Sequence, residues 1–479
     1  MVRRTRIAAV LTLAMINAFT IAAGLAVVHL LPARLAALRV PSVAAAPVAG
    51  AGTVLPDGTG TGSAPPLPTP SGLQAVLAGP LSAAALGPRV AAVVADPVTG
   101  QVLLSDHGAR LATPASTTKL ATALAALALL GAGDRFTTRV VAGAAPGSII
   151  LVGGGDPTLA VNPFPIRDYP RPATLASLAA ATARTLKANG RDAVSLGYDT
   201  SLYTGPGLAP SWPEAYVSGG DVTPIVSLEV DQGRLTRAGK PEDSDDPYNN
   251  NPRATDPAGM ATASFAALLA ADGIRVTGSP AAQAAQAGAQ VIASVTSPPL
   301  SAIVEQMLEE SNNVIAEHLA RHVALVTGEP ASFSGAATAV TGELSRLGIA
   351  GGIRLVDGSG LSPADLISPD ALVRMLELAI ARPGLRALLA GLPVAGFSGT
   401  LSAGQSVFSG IGGPALGSVR AKTGNLGTVA TLAGLAYDKS GDVLVFAFMA
   451  DQVPSAGVLQ EAAQAIDKAA SALAGCGCR

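Results

Sequence analysis

Pro114-Ala115-Ser116-Thr117-Thr118-Lys119, running into an Ala- and Leu-rich stretch that stops at Gly131-Ala132-Gly133, is the part of this sequence whose reading decides the fold. Ser116 to Leu130 reads as a helix, because Ala and Leu are strong helix formers and the glycines end the run. Ser116 stands at the helix start and Lys119 follows three residues on, so hydroxyl and amine share one face and can meet. A serine needs a base to become a nucleophile, and a lysine withdrawn from water has a lowered pKa and can serve. Backbone N–H groups at a helix start also favour negative charge. Taken alone, the stretch reads more readily as a serine cap followed by a solvated lysine.

Two further stretches change that reading. In Glu309-Glu310-Ser311-Asn312-Asn313, Ser311 and Asn313 follow a helical segment from Leu300 and can aim a hydroxyl and an amide at one cleft. Alone they read as a polar helix end. In Val419-Arg420-Ala421-Lys422-Thr423-Gly424-Asn425, a strand offers a cation and a hydroxyl for a carboxylate, and its glycine admits a close backbone approach. Alone it reads as an edge strand guarded by charge.

Ser-x-x-Lys, Ser-x-Asn and Lys-Thr-Gly in this order form the signature of penicillin-binding proteins and serine β-lactamases. The flanks agree. Leu151 to Leu159, Asp357-Gly358-Ser359-Gly360-Leu361-Ser362, Leu392-Pro393-Val394-Ala395-Gly396 and Glu317 behind the Ser-x-Asn step all resemble segments of one family. That family is the D-alanyl-D-alanine carboxypeptidases and endopeptidases, the DacB-like class C low-molecular-mass penicillin-binding proteins (peptidase family S13). The resemblance covers roughly residues 80–450. It departs at Asn425, where the family usually has Thr or Ser, and in a shorter insertion, which implies one inserted subdomain.

The resemblance implies an α+β, transpeptidase-like fold: an antiparallel sheet with flanking helices and an inserted, mostly β subdomain. It implies acyl transfer from peptidoglycan stem peptides ending in D-Ala-D-Ala, with Ser116 as nucleophile, Lys119 as base and Ser311 as proton relay. Asn313, Lys422, Thr423, Gly424 and Asn425 would bind substrate, the last through its backbone N–H. β-Lactam antibiotics would acylate the same serine, and no metal or other cofactor is implied. A β-lactamase on the same fold and a non-enzymatic β-lactam binder are the competing readings. The absence of an evident deacylating Glu disfavours the first.

The remaining sequence sets the frame. The 31 Lys+Arg residues nearly balance 33 Asp+Glu, so no basic excess points to nucleic acid. Arg3, Arg4 and Arg6 precede an uncharged stretch from Ile7 to Ala33, longer than the roughly 20 residues that span a bilayer. The basic flank is expected to stay in the cytoplasm, with everything after it outside. Residues 1–33 are therefore expected to be an anchor to the cytoplasmic membrane or a signal segment, and 34–72 a Pro-, Gly- and Ala-rich tether. Residues 73–137 are expected to carry the first catalytic part and 138–296 the insertion, with one helix near Asp256–Ala271. Residues 297–479 would then form the second catalytic part. Strand patterns at Val90–Ala95 and over 428–449 allow strands near both ends of the chain to pair. His318 and His322, four apart, read as a partly exposed helix pair rather than a zinc site. Cys476 and Cys478 read as a frayed tail with an incidental disulfide.

Overall fold

In the computed structural model, residues 67–163, 169–236, 239, 250–403 and 413–478 are described. In chain order the helices of ten residues or more are α1 (Pro70–Leu81), α2 (Thr118–Leu130), α3 (Leu175–Ala188), α4 (Pro257–Ala271), α5 (Leu300–Glu309), α6 (Asn313–Thr327), α7 (Phe333–Arg346), α8 (Pro369–Ala381) and α9 (Leu459–Ala474). The strands of the first sheet are β1 (Val90–Ala95), β2 (Val102–Asp106), β10 (Val419–Leu426), β11 (Val429–Tyr437) and β12 (Val443–Ala450). Those of the second are β3 (Thr137–Ala142), β4 (Ser148–Val152), β5 (Ala193–Asp199), β6 (Arg275–Ala282) and β7 (Val291–Thr296). A two-residue ladder joins β8 (Ile353–Arg354) to β9 (Leu366–Ile367).

The first sheet runs β10-β11-β12-β1-β2, antiparallel throughout, so strands from both ends of the chain pair, Val90 facing Ala450. Side chains alternate across a strand, and here both faces are covered. Val93, Ala95, Val445, Ala447 and Met449 pack with the helices of one layer, α2 and α5 to α8. Ala92, Val94, Phe446 and Phe448 pack with α1 and α9 on the other. With aromatics at only 3% of the chain, this core is built from alanines and branched aliphatics that let helices sit close to the sheet.

The insertion starts and ends on adjacent strands. β3 and β7 pair antiparallel with Thr137 opposite Thr296. Its sheet, β6-β5-β4-β3-β7, is mixed: β4–β5 and β5–β6 are parallel, crossing over through α3 and α4. The expectation of a single helix in this β-sheet insertion needs correction, since α3 is a second helix of 14 residues. Its apolar stripe is Leu175, Leu178, Ala179, Thr182, Ala183 and Leu186, the spacing of one buried helix face. Thr174 caps it by accepting from Ser177 N–H.

Two other expectations change. His318 and His322 are buried, not partly exposed. One nitrogen of each ring lies against the Gly155 carbonyl oxygen, at 3.2 and 2.9 Å, and His318 also meets Glu229 at 3.2 Å. The pair thus faces the inserted part, where the two imidazoles are desolvated; burial pushes His322 down to about 4. The C-terminus is not frayed either. Cys476 is buried, disulfide-bonded to Cys478, whose carbonyl accepts from Thr69 N–H at 2.8 Å. Gly72 leaves room for that loop, since a Cβ there would sit 2.6 Å from Cys478 Cβ. The folded body therefore includes α1 from Pro70, with Leu73 and Leu77 in the core. No helix among the described residues is long and apolar enough to cross a membrane. The expected anchor, residues 1–33, and most of the expected tether lie outside the described residues.

Candidate active site

Ser116 lies on a short 3-10 turn, Ala115–Thr117, that leads into α2. Ala115 has φ +48°, a left-handed conformation that a side chain rarely adopts, held here from both sides. Gly360 packs so tightly on the Ala115 carbonyl that no Cβ fits. Gly424 on β10 packs against the Pro114 carbonyl and Ser116 N; a Cβ there would lie 3.2 Å from that nitrogen. The glycine of Lys-Thr-Gly thus lets the strand run directly against the serine turn.

Lys119 is fully buried. Its Nζ lies 3.0 Å from Ser116 Oγ, 2.8 Å from Asn313 Oδ1 and 2.7 Å from the Ser359 carbonyl oxygen. Burial lowers its pKa to about 7, against the pull of Asp357, Glu317 and Asp365, which favour the ammonium. The two oxygens of Asn313 and Ser359 can only accept. A neutral amine has two N–H groups for them and one lone pair left, which faces the Ser116 hydroxyl.

The carboxyls beneath form a cluster. Asp357 accepts from the N–H groups of Ser359, Gly360 and Ser362 and from Trp212 Nε1 at 2.9 Å, fixing the loop that presents the Ser359 carbonyl. Glu317 accepts from Gly358 N–H at 3.0 Å. Burial, then the Asp357 charge, raises both Glu317 and Asp365.

Across the site, Ser311 sits between α5 and α6 with φ +57°. Lys422, also fully buried, donates from Nζ to Ser311 Oγ at 2.8 Å and to the Thr423 carbonyl at 2.9 Å. Burial, then the Lys119 charge, lowers Lys422 well below its ordinary value. Thr423 Oγ1 meets Thr400 Oγ1 at 2.8 Å, and the Asn425 side chain is exposed. Asn313 opens α6; its Nδ2 donates to the Asp221 carbonyl at 3.0 Å. The three sequence stretches thus meet through direct contacts. Sequence reasoning gave no role to Ser359, Thr400 or Asp221. Asp357-Gly358-Ser359-Gly360 was visible as a segment, but only the fold shows that a backbone carbonyl is its contribution.

A half-buried serine with a fully buried lysine beside it on a helix start, faced by a second serine and a lysine-bearing strand, on an antiparallel sheet between helical layers, defines a serine acyl-transfer site. The chain belongs to the D-Ala-D-Ala carboxypeptidase 3 (S13) family, which its residues 73–249 and 239–473 match. It is 37% identical over 419 residues to carboxypeptidase DacB of Mycolicibacterium smegmatis, covering 86% of each chain. It is 30% identical over 419 residues to the D-alanyl-D-alanine carboxypeptidase of an Actinomadura strain, covering 73% of this chain and 76% of that one. Among solved structures, penicillin-binding protein 4 of Haemophilus influenzae shares the fold with a TM-score of 0.65 at 22% identity, over 82% of this chain and 98% of that one.

Proposed function

We propose that this protein is a serine DD-peptidase, cleaving the terminal D-Ala-D-Ala bond of peptidoglycan stem peptides through an acyl-enzyme on Ser116. The observation that carries this is the Ser116–Lys119 contact at 3.0 Å, with the lysine buried and held near neutrality. Lys119 takes the hydroxyl proton as Ser116 attacks the carbonyl between the two D-alanines. The N–H groups of Ser116 and Asn425 stabilise the oxyanion, a role in which one donor is worth about 3–4 kcal/mol. Ser311 passes a proton to the departing D-alanine nitrogen, and Lys422 at 2.8 Å supplies and steadies that proton. Asn313 holds the substrate amide. The Thr423–Thr400 hydroxyl pair, with Lys422 behind it, receives the terminal carboxylate. Water then frees the acyl group.

A β-lactam presents a similar amide and carboxylate, so it acylates Ser116 and leaves slowly. The uncharged run behind Arg3, Arg4 and Arg6 supports an extracytoplasmic enzyme tethered to the outer face of the cytoplasmic membrane. Substrate at the wall would then lie within reach of the tether.

The test is mass analysis of muropeptides after incubation with purified protein, with covalent labelling by a fluorescent penicillin in parallel. Loss of one alanine from pentapeptides and stable labelling of Ser116 are expected. Intact pentapeptides with no labelling would overturn the reading, and rapid penicillin turnover would move it to a β-lactamase.

A further inference from the structure

The turn carrying Ser311 and Asn313 is held from the inserted part of the chain. Asn312 caps α6 with its Oδ1, which accepts from Ile315 N–H at 3.1 Å. Its Nδ2 turns the other way and donates to Gln232 Oε1 at 2.7 Å, with Glu310 Oε2 at 3.3 Å. Gln232 is only 2% exposed. Arg234 donates to the same Oε1 at 3.1 Å, and Arg253 donates to the Gln232 carbonyl at 3.2 Å and to the Gly220 carbonyl at 2.8 Å. A polar recess of about 140 Å³ opens beside this array, lined by Gly220, Asp221, Arg234 and Arg253 facing Asn312 and Asn313.

The backbone beneath is unusual. Asp231, Gln232 and Gly233 have φ of +49°, +54° and +65°, three left-handed residues in succession. Two of them carry side chains, and such a run persists only where its surroundings hold it. Its product is one side-chain oxygen placed under Asn312. Ser311, the next residue back, is itself left-handed, so the Ser-x-Asn turn would relax if Asn312 were released.

We propose that Gln232 is a positioning residue for the acyl-transfer reaction: acting through Asn312, it fixes Ser311 and Asn313 in the reacting geometry. This rests on the DD-peptidase reading above. The insertion then contributes to rate, beyond any contribution to substrate reach.

Gln232→Met keeps most of the volume and removes the acceptor, whereas Gln232→Glu keeps an acceptor for both Asn312 and Arg234. Asn312→Ser keeps a helix cap and removes the donor. Each is made in the full chain, active sites are counted by stoichiometric penicillin labelling, and kcat and KM are measured on a D-Ala-D-Ala peptide. For Gln232→Met, kcat per labelled site should fall about 10–100-fold, as for a group displaced by about 1 Å, with KM nearly unchanged. Gln232→Glu should restore most of the rate. Asn312→Ser should match Gln232→Met, and the double variant should lose no more than either alone. A reduced labelled fraction with wild-type kcat per site would mean that Gln232 serves folding only, and would overturn the proposal. Should Gln232→Met fail to fold, Asn312→Ser decides by the same criterion. Wild-type protein that neither labels nor hydrolyses would overturn the DD-peptidase reading and this inference with it. An active wild type with unaffected variants would overturn this inference alone.

Discussion

Lys119 and Lys422 are both fully buried, yet their surroundings differ in the one respect that sets their chemistry. Lys119 has Asp357, Glu317 and Asp365 close enough to favour its ammonium, and it titrates near 7. Lys422 has burial and the like charge of Lys119 acting on it, both in the same downward direction. Counter-charge is what turns a buried lysine into a base that can load and unload a proton near neutrality. The lysine without it has its pKa pushed only downward, and it donates to Ser311. An arriving carboxylate supplies the missing counter-charge and favours its ammonium.

The sharpest way to break this comparison begins with the hydroxyl that Lys119 serves. Ser116→Ala should abolish penicillin labelling and lower peptidase kcat by about 10⁶-fold, as loss of a nucleophile does elsewhere; labelling at the wild-type level would remove the assignment. Lys119→Met should follow, with acylation about 10²–10⁴-fold slower, the usual worth of a general base. Stopped-flow acylation reads it directly.

Lys422→Ala should lose about 2–4 kcal/mol in kcat/KM. Its Nζ is committed to Ser311, so the loss should appear on a D-Ala-D-Ala peptide and also on a thioester lacking the terminal carboxylate. A loss confined to the peptide would make it a carboxylate binder alone.

A smaller effect is read from pH. Lys119 acts as base only when neutral, and its folded pKa is lowered to about 7. Acylation should therefore fall about tenfold per unit below that value and level off above it. A profile flat down to pH 5 would separate Lys119 from the base.

The smallest expected effect concerns the chain before the fold. Deleting residues 1–66 should leave turnover on a free peptide unchanged. A cut at 72 would instead remove Thr69, which caps α1 and bonds Cys478, and should lower thermal stability in a melting experiment.

Much of this site was legible because its chemistry is local. Helical spacing puts Ser116 and Lys119 on one face and Lys-Thr-Gly stands on a strand before a hairpin, and the order of the three motifs marks them as one site. The apolar runs of β11 and β12 on either side of Asp438-Lys439-Ser440-Gly441 gave the central hairpin. What stayed hidden depends on partners far along the chain. Gln232 and Asn312 are 80 residues apart, and nothing around Gln232 marks it as more than a loop residue. The pair His318 and His322 looks half-exposed until the insertion covers it. Helix α3 was present as a stripe of Leu and Ala, but in a chain so rich in alanine that stripe stands out little from its background.

The pairing of β3 with β7 has a consequence for how such a chain can change. With Thr137 opposite Thr296, the whole insertion leaves and rejoins the catalytic scaffold at neighbouring points. It is a cassette: it could be lengthened, trimmed or exchanged between relatives without rerouting α2 or α5. A graft would have to respect one boundary condition that the topology does not reveal. Whatever fills the gap must still present an oxygen beneath Asn312 and a carbonyl to Asn313, or the scaffold would close around a turn left without its brace.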